Sequence, residues 1–170
     1  MKRSNYVRET DERIIIDLPT VGLRIQKDTG DISIIPRQLK TSRTHDKILR
    51  ELAVSMVLKG IEKIRVDLKD FEPNDPSLRL TAGNRRYDIV FCYNGKTYQG
   101  ELKPPGNVWE CRTWLQLNEM ARTAENLILI VPLGDVEKAE EFRQEDKSLW
   151  KMKVFSYESL LKKISGGQVL

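Results

Sequence analysis

Apolar residues recur along this chain with two periods, and each period marks a different kind of element. Between Thr44 and Gly60 they fall at Ile48, Leu49, Leu52, Ala53, Met56 and Val57, which predicts one amphipathic helix starting near His45. Ser42 or Thr44 can cap its start, and Gly60, followed by Ile61, supplies a left-handed stop. Over 62–69 the pattern changes to alternation, with Ile64, Val66 and Leu68 set between charged residues, as in a half-buried strand. A second helical stripe, Trp114, Leu117, Met120, Ala121 and Ala124, predicts a helix over about 108–125. Leu127 to Val131 is an unbroken apolar run ended by Pro132, as in a strand covered on both faces. Asp135 is placed to cap a helix over 136–146, and Met152 to Phe155 predicts a last short strand. Ser156 caps a final helix carrying Tyr157, Leu160, Leu161 and Ile164 ahead of Gly166-Gly167.

Before the first helix the chain has another character. Residues 1–11 are polar and expected to fray. Arg13 to Leu18, ended by Pro19, then Val21 to Gln26 and Ile32 to Ile35 predict strands, the last two joined through Asp28-Thr29-Gly30-Asp31. This β element could serve as an appendage to the core, a dimer surface or a DNA clamp. A long connector, 70–85, carries Pro73, Pro76 and Gly83; loops of that length are usually functional or disordered.

Between the connector and the second helix lie two β-rich runs on either side of Asn94-Gly95, the residue pair suited to a type I′ turn. A two-residue loop sets Tyr93 opposite Lys96, and so Asp88 opposite Glu101 and Arg86 opposite Lys103. One face then carries Arg86, Asp88, Val90, Cys92, Thr97, Gln99, Glu101 and Lys103. The other carries Tyr87, Ile89, Phe91, Tyr93, Tyr98, Gly100 and Leu102, and reads as the buried side. Opposed carboxylates repel unless a positive charge lies between them. A divalent metal with Lys103 beside it would meet that need. Pro104-Pro105-Gly106 stops the strand immediately after Lys103.

Composition narrows the chemistry. The 170 residues are 39% hydrophobic and 32% charged, which suits one soluble domain with a sizeable core. No apolar run approaches the length of a membrane span, and the start does not lead into a signal peptide, so a cytoplasmic protein without a membrane partner is expected. Cys92 and Cys111 suggest neither a disulfide framework nor a zinc site, and His45 is the one histidine. Acid–base or metal chemistry therefore rests on carboxylates and lysine. A net charge of +4 permits nucleic-acid binding without demanding it.

Asp88 followed by Glu101-Leu102-Lys103 at the end of the next strand resembles the motif of the PD-(D/E)xK nuclease superfamily, with Tyr87 where that family often has proline. The element order, and Glu51 on the preceding helix, look most like the archaeal Holliday-junction resolvases within it. The resemblance spans about 44–132. It implies a restriction-endonuclease-like α/β core (helix, three strands, helix, strand, with a mixed sheet between helices); the 1–43 β appendage before it and the 133–170 α/β completion after it are not explained by the resemblance. It also implies a Mg2+- or Mn2+-dependent endonuclease acting on DNA. Asp88, Glu101 and the Leu102 carbonyl would hold the metal, and Lys103 would orient the attacking water or stabilise developing charge. Glu51 would be an outer acidic residue, and Gln116 a helix glutamine near the site, although Met120 stands where relatives have tyrosine. Gln99 is a further accessory candidate, and a twofold homodimer is the assembly implied.

Two basic groups are candidate DNA contacts: Arg37, Lys40, Arg43, Lys47 and Arg50 around the first helix, and Arg79, Arg85 and Arg86 along the connector. The plainer alternative makes the carboxylates part of an exposed salt-bridge cluster with Arg86 and Lys103. A nuclease-like module that binds DNA or protein without catalysis, and a DNA-nicking restriction or repair enzyme, are further alternatives.

Overall fold

The computed structural model describes residues 7–17, 21–36, 42–72, 74–83 and 85–170. The chain opens with an antiparallel meander of four strands, β1 (Val7–Glu9), β2 (Arg13–Asp17), β3 (Val21–Gln26) and β4 (Ile32–Pro36). Within the stretch expected to fray, β1 is instead ordered by pairing Val7 with Ile16 and Glu9 with Ile14.

Helix α1 (Ser42–Leu58) ends as its sequence requires. Gly60 takes a left-handed φ of 93°, and the N–H of Ile61 bonds the carbonyl of Met56. A central sheet follows, with β5 (Ile64–Val66), β8 (Ile89–Tyr93), β9 (Lys96–Leu102), β10 (Leu127–Val131) and β11 (Lys153–Ser156) in the order β11-β10-β9-β8-β5. Two minor strands, β6 (Thr81–Ala82) and β7 (Arg85–Arg86), form a small ribbon before β8. The β5–β8 and β8–β9 pairs are antiparallel, and β9–β10 and β10–β11 are parallel, so the sheet is mixed. Helices α2 (Cys111–Ala121), α3 (Val136–Glu145) and α4 (Tyr157–Ser165) complete the chain.

Two apolar cores flank the sheet. Leu49, Leu52 and Met56 of α1 and Leu160 and Ile164 of α4 pack on Ile89, Phe91, Leu102 and Ile130. Trp114 and Leu117 of α2 and Ala139 and Phe142 of α3 pack on Val90, Leu129 and Val131, and Ile15 of β2 joins this second core. The chain is thus an α/β protein with a five-stranded mixed sheet between helices. Among the described residues no helix is long and apolar enough to cross a membrane.

Local chemistry departs from the sequence reading in several places. α2 covers less than the expected 108–125, because a 3-10 turn, Asn107–Trp109, precedes it and it ends at Ala121, before Ala124. Asp135 stands at the N-cap position of α3 but its side chain makes no capping hydrogen bond; its carboxylate instead accepts from the N–H of Gly106 at 2.8 Å, tying the loop after β9 to the start of α3. Ser156 does cap α4, in a reciprocal box with Ser159. The connector is largely packed against β5. Asn74 accepts from the N–H of Val66 at 2.7 Å, Arg65 reaches the carbonyls of Pro76 and Leu78, and Phe71, Leu78 and Leu80 are buried.

Candidate active site

The hairpin β8–β9 has the register expected of an Asn-Gly turn. Asn94 and Gly95 both have positive φ, 49° and 72°, and the pairs run from Tyr93–Lys96 to Ile89–Gly100. Both faces of the hairpin are buried, because α2 covers the side expected to be open: Val90 is 1% and Glu101 2% exposed. The regular ladder stops at Ile89. The N–H of Asp88 also turns to the carbonyl of Gly100, at 3.1 Å, while its own carbonyl accepts from Asp67. The alternation slips here, so Tyr87 joins the same core as Val90 rather than that of Ile89. Arg86 therefore does not face Lys103; it belongs to β7 and pairs with Asp67 at 2.8 Å.

Asp88 nonetheless reaches the neighbourhood of Glu101. Its Oδ2 accepts from the backbone N–H of Leu102 at 2.8 Å, which fixes the carboxylate against the end of β9. Glu101 is held more tightly. Its Oε1 accepts from Lys103 Nζ at 2.6 Å and from Gln116 Nε2 at 2.7 Å, and Lys103 Nζ also donates to Gln116 Oε1 at 3.1 Å. Glu101, Lys103 and Gln116 thus close a three-membered polar ring in a nearly dry setting. Tyr157 donates to the Lys103 carbonyl at 2.9 Å and steadies the backbone behind it.

The electrostatics follow from this burial. Desolvation pushes the Glu101 carboxyl up, to about 7; Lys103 opposes the rise and the nearby Asp88 charge adds to it. Glu101 Oε2 is buried and has no hydrogen-bond partner. A carboxylate oxygen in that position costs about 1–3 kcal/mol unless something positive or protic meets it.

His45, which the sequence reading left outside the site, lies in it. Its Nε2 is 3.3 Å from Asp88 Oδ2 and its Nδ1 3.2 Å from Asp46. The hydrogen bond to Asp88 raises the imidazole to about 9 against the opposing effect of burial. Its signal was present in the helical stripe: His45, Leu49, Leu52 and Met56 stand four, three and four residues apart, and the three apolar members are buried.

Other candidates are placed elsewhere. Glu51 is exposed, with its carboxylate 3.9 Å from Lys47, on the solvent side of α1, so it is not an outer member of this cluster. Its position in the helical repeat puts it off the buried stripe that His45 occupies. Gln99 accepts from the N–H of Asn126 at 3.1 Å, a structural contact at the start of β10. Arg37 and Lys40 lie outside the described residues, and Arg43 is in the first turn of α1. Lys47, Arg50 and Arg79 are exposed, whereas Arg85 is paired with Glu119 as Arg86 is with Asp67.

Among the described residues, no three of His, Cys, Asp and Glu converge as a ready-made metal cage. The available set for a cation is the two carboxylates of Asp88 and Glu101, the latter with its unpartnered Oε2, and backbone oxygen. An all-oxygen set of this size fits a hard divalent ion that keeps several of its waters. Compared with protein families, curated proteins and solved structures, the chain matches none.

Proposed function

We propose that the chain is a metal-dependent deoxyribonuclease whose site is Asp88, Glu101 and Lys103, positioned by Gln116 and His45. One observation carries the reading. A buried carboxylate oxygen, Glu101 Oε2, stands without a partner beside a buried lysine and a second carboxylate at the end of one strand. Such a group is costly for stability alone and useful for holding a cation at a phosphate. The helix, three-strand, helix, strand order of the core is what a restriction-endonuclease-like fold requires, and supports the same reading.

Asp88, Glu101 and the Leu102 carbonyl would hold magnesium or manganese. When bound, such an ion neutralises phosphate charge and acidifies a water. The chain's own part is separable. The Leu102 N–H orients Asp88, Gln116 bonds both Glu101 and Lys103, and Lys103 would bring a positive charge to a phosphate oxygen that gains charge. His45 supplies a second positive group on the Asp88 side. Exposed Lys47, Arg50 and Arg79 are candidate phosphate contacts, and branched or junction DNA is the substrate form that the resemblance to junction resolvases would imply.

A specific observation favours the second reading, a nuclease-like binding module without catalysis: both carboxylates already have partners, Lys103 and Gln116 for Glu101, and His45 for Asp88. Incubation of the protein with branched, duplex and single-stranded DNA, in magnesium, manganese or chelator, separates the two. Metal-dependent cleavage of any form supports the nuclease, and binding without cleavage in either metal supports the module.

A further inference from the structure

Trp150 is 67% exposed, the only aromatic ring open to solvent among the described side chains. Its backbone is fixed: Arg143, on α3, donates to the Trp150 carbonyl at 3.2 Å and to Glu140 at 2.6 Å. Lys151 Nζ lies 5.1 Å from the centre of the ring. The ring borders a groove of about 690 Å3 at the start of β11, the outer strand of the sheet, and Lys151, Lys153 and Lys163 line the same groove. Lys153 stands level with Ile128 and so with Gly100, two strands across from β9 and three residues before Lys103. Strand spacing and rise put it roughly 14 Å from Lys103, so the groove is separate from the carboxylate site.

We infer that this groove is a second binding site, for single-stranded nucleic acid: an unpaired base stacks on Trp150 and the flanking phosphates meet Lys151, Lys153 and Lys163. Charge selects a polyanion. The acids of the groove are Glu125 and Glu140, and Glu140 is taken by Arg143, so three lysines face one exposed glutamate. Lys153 donates to the Leu170 carbonyl and Lys163 to the Val169 carbonyl at 3.3 Å. An ammonium has three N–H donors, so each keeps donors for a phosphate oxygen. The open ring selects an unpaired base. Every base has a π-face that an aromatic side chain can cover, whereas a duplex hides those faces within its own stack. The indole also has two faces, and Lys151 at one leaves the other for the base.

This inference does not depend on the chemistry at Asp88 and Glu101. Fluorescence anisotropy of a labelled oligothymidylate of about 12 nucleotides, with the full chain in chelator at low salt, measures it. Binding that weakens as salt rises is expected. Trp150→Ala should weaken it about fivefold or more, and Trp150→Phe, which keeps a ring, distinctly less. Lys151→Ala with Lys153→Ala should weaken it and flatten the salt dependence. Circular dichroism should be unchanged in all three, because these side chains are exposed. No binding, an affinity unchanged in Trp150→Ala, or an equal Trp150-dependent affinity for a duplex or for polyglutamate would overturn the proposal. A strand held on the Asp88 side would be indifferent to Trp150, so any of these results leaves the nuclease reading to its own test.

Discussion

His45 Nε2 lies 3.3 Å from Asp88 Oδ2, which joins the first turn of α1 to the residue that leads into β8. The contact stabilises the fold only while the imidazole is charged. Its pKa in the folded chain, about 9, is above the ordinary 6.5, so the stabilisation is complete below about 6.5 and is lost as pH rises through about 9. Glu101, raised to about 7 by burial, acts at lower pH, so measuring from pH 7.5 upward isolates the histidine. In chelator, the melting temperature should fall between about pH 7.5 and 9.5, and His45→Gln should flatten that decline. Parallel declines in the two proteins would remove His45 from the electrostatics of the site.

Gln116 is the only described side chain that bonds both Glu101 and Lys103. Gln116→Ala withdraws a donor from a buried carboxylate and an acceptor from a buried ammonium. A loss of about 1–3 kcal/mol is expected from the groups left unsatisfied. Gln116→Glu, which keeps an acceptor for Lys103 but sets a second acid against Glu101, should be at least as unstable near neutral pH. Chemical denaturation of the two variants checks the order.

Gly100 sets the spacing of the hairpin just before Glu101. A Cβ there would lie 2.6 Å from Ile89 Cγ2 and 3.4 Å from side-chain atoms of Ile128 and Ile130. Gly100→Ala should cost about 1–3 kcal/mol by overpacking. Added to Ile89→Ala, it should cost less than the sum of the single changes, because the clash is with that side chain.

Arg13 fastens the N-terminal meander to the body through buried Glu145 and through Glu141. Arg13→Met keeps the length of the side chain and leaves the acids, so about 3–5 kcal/mol of stability should go with the charge. Limited proteolysis should then cut within the meander before the central sheet. A variant as resistant as the wild type would mean that apolar packing at Ile15 suffices.

The parts of this architecture that were legible in the sequence are those governed by short-range rules. Asn94-Gly95 dictated the turn and therefore the register from Tyr93–Lys96 to Ile89–Gly100. Gly60 and Ser156 marked the end of α1 and the start of α4. Lys103 was found because strand alternation set it on the face of Glu101, whereas Gln116 was named only because the resemblance implies a helix glutamine near the site. What failed depended on long-range packing. A hairpin with alternating polarity looks open on one side, but α2 closes that side and buries Glu101. The slip of alternation at Asp88 arises from the additional bond to Gly100, which no residue type announces. His45 was set aside because a single histidine rarely makes a zinc or hydrolase site; its place on the buried stripe of α1 was the better guide. The connector looked loose, yet Asn74 and Arg65 tie it to β5.

On the proposed function, Glu101 is kept buried for catalysis at a cost in stability. The direct measurement compares Glu101→Gln with the wild type, in magnesium and in manganese, for cleavage of the DNA form that the wild type cuts, with binding followed by fluorescence anisotropy and unfolding followed at pH 8. Glutamine retains an oxygen for Lys103 and Gln116 while removing the buried charge, so cleavage should fall by at least about a hundredfold, with DNA affinity unchanged and stability equal or higher. Asp88→Asn and Lys103→Ala should lose cleavage likewise. A Glu101→Gln protein that cuts as fast as the wild type would show that the buried carboxylate takes no part in cleavage.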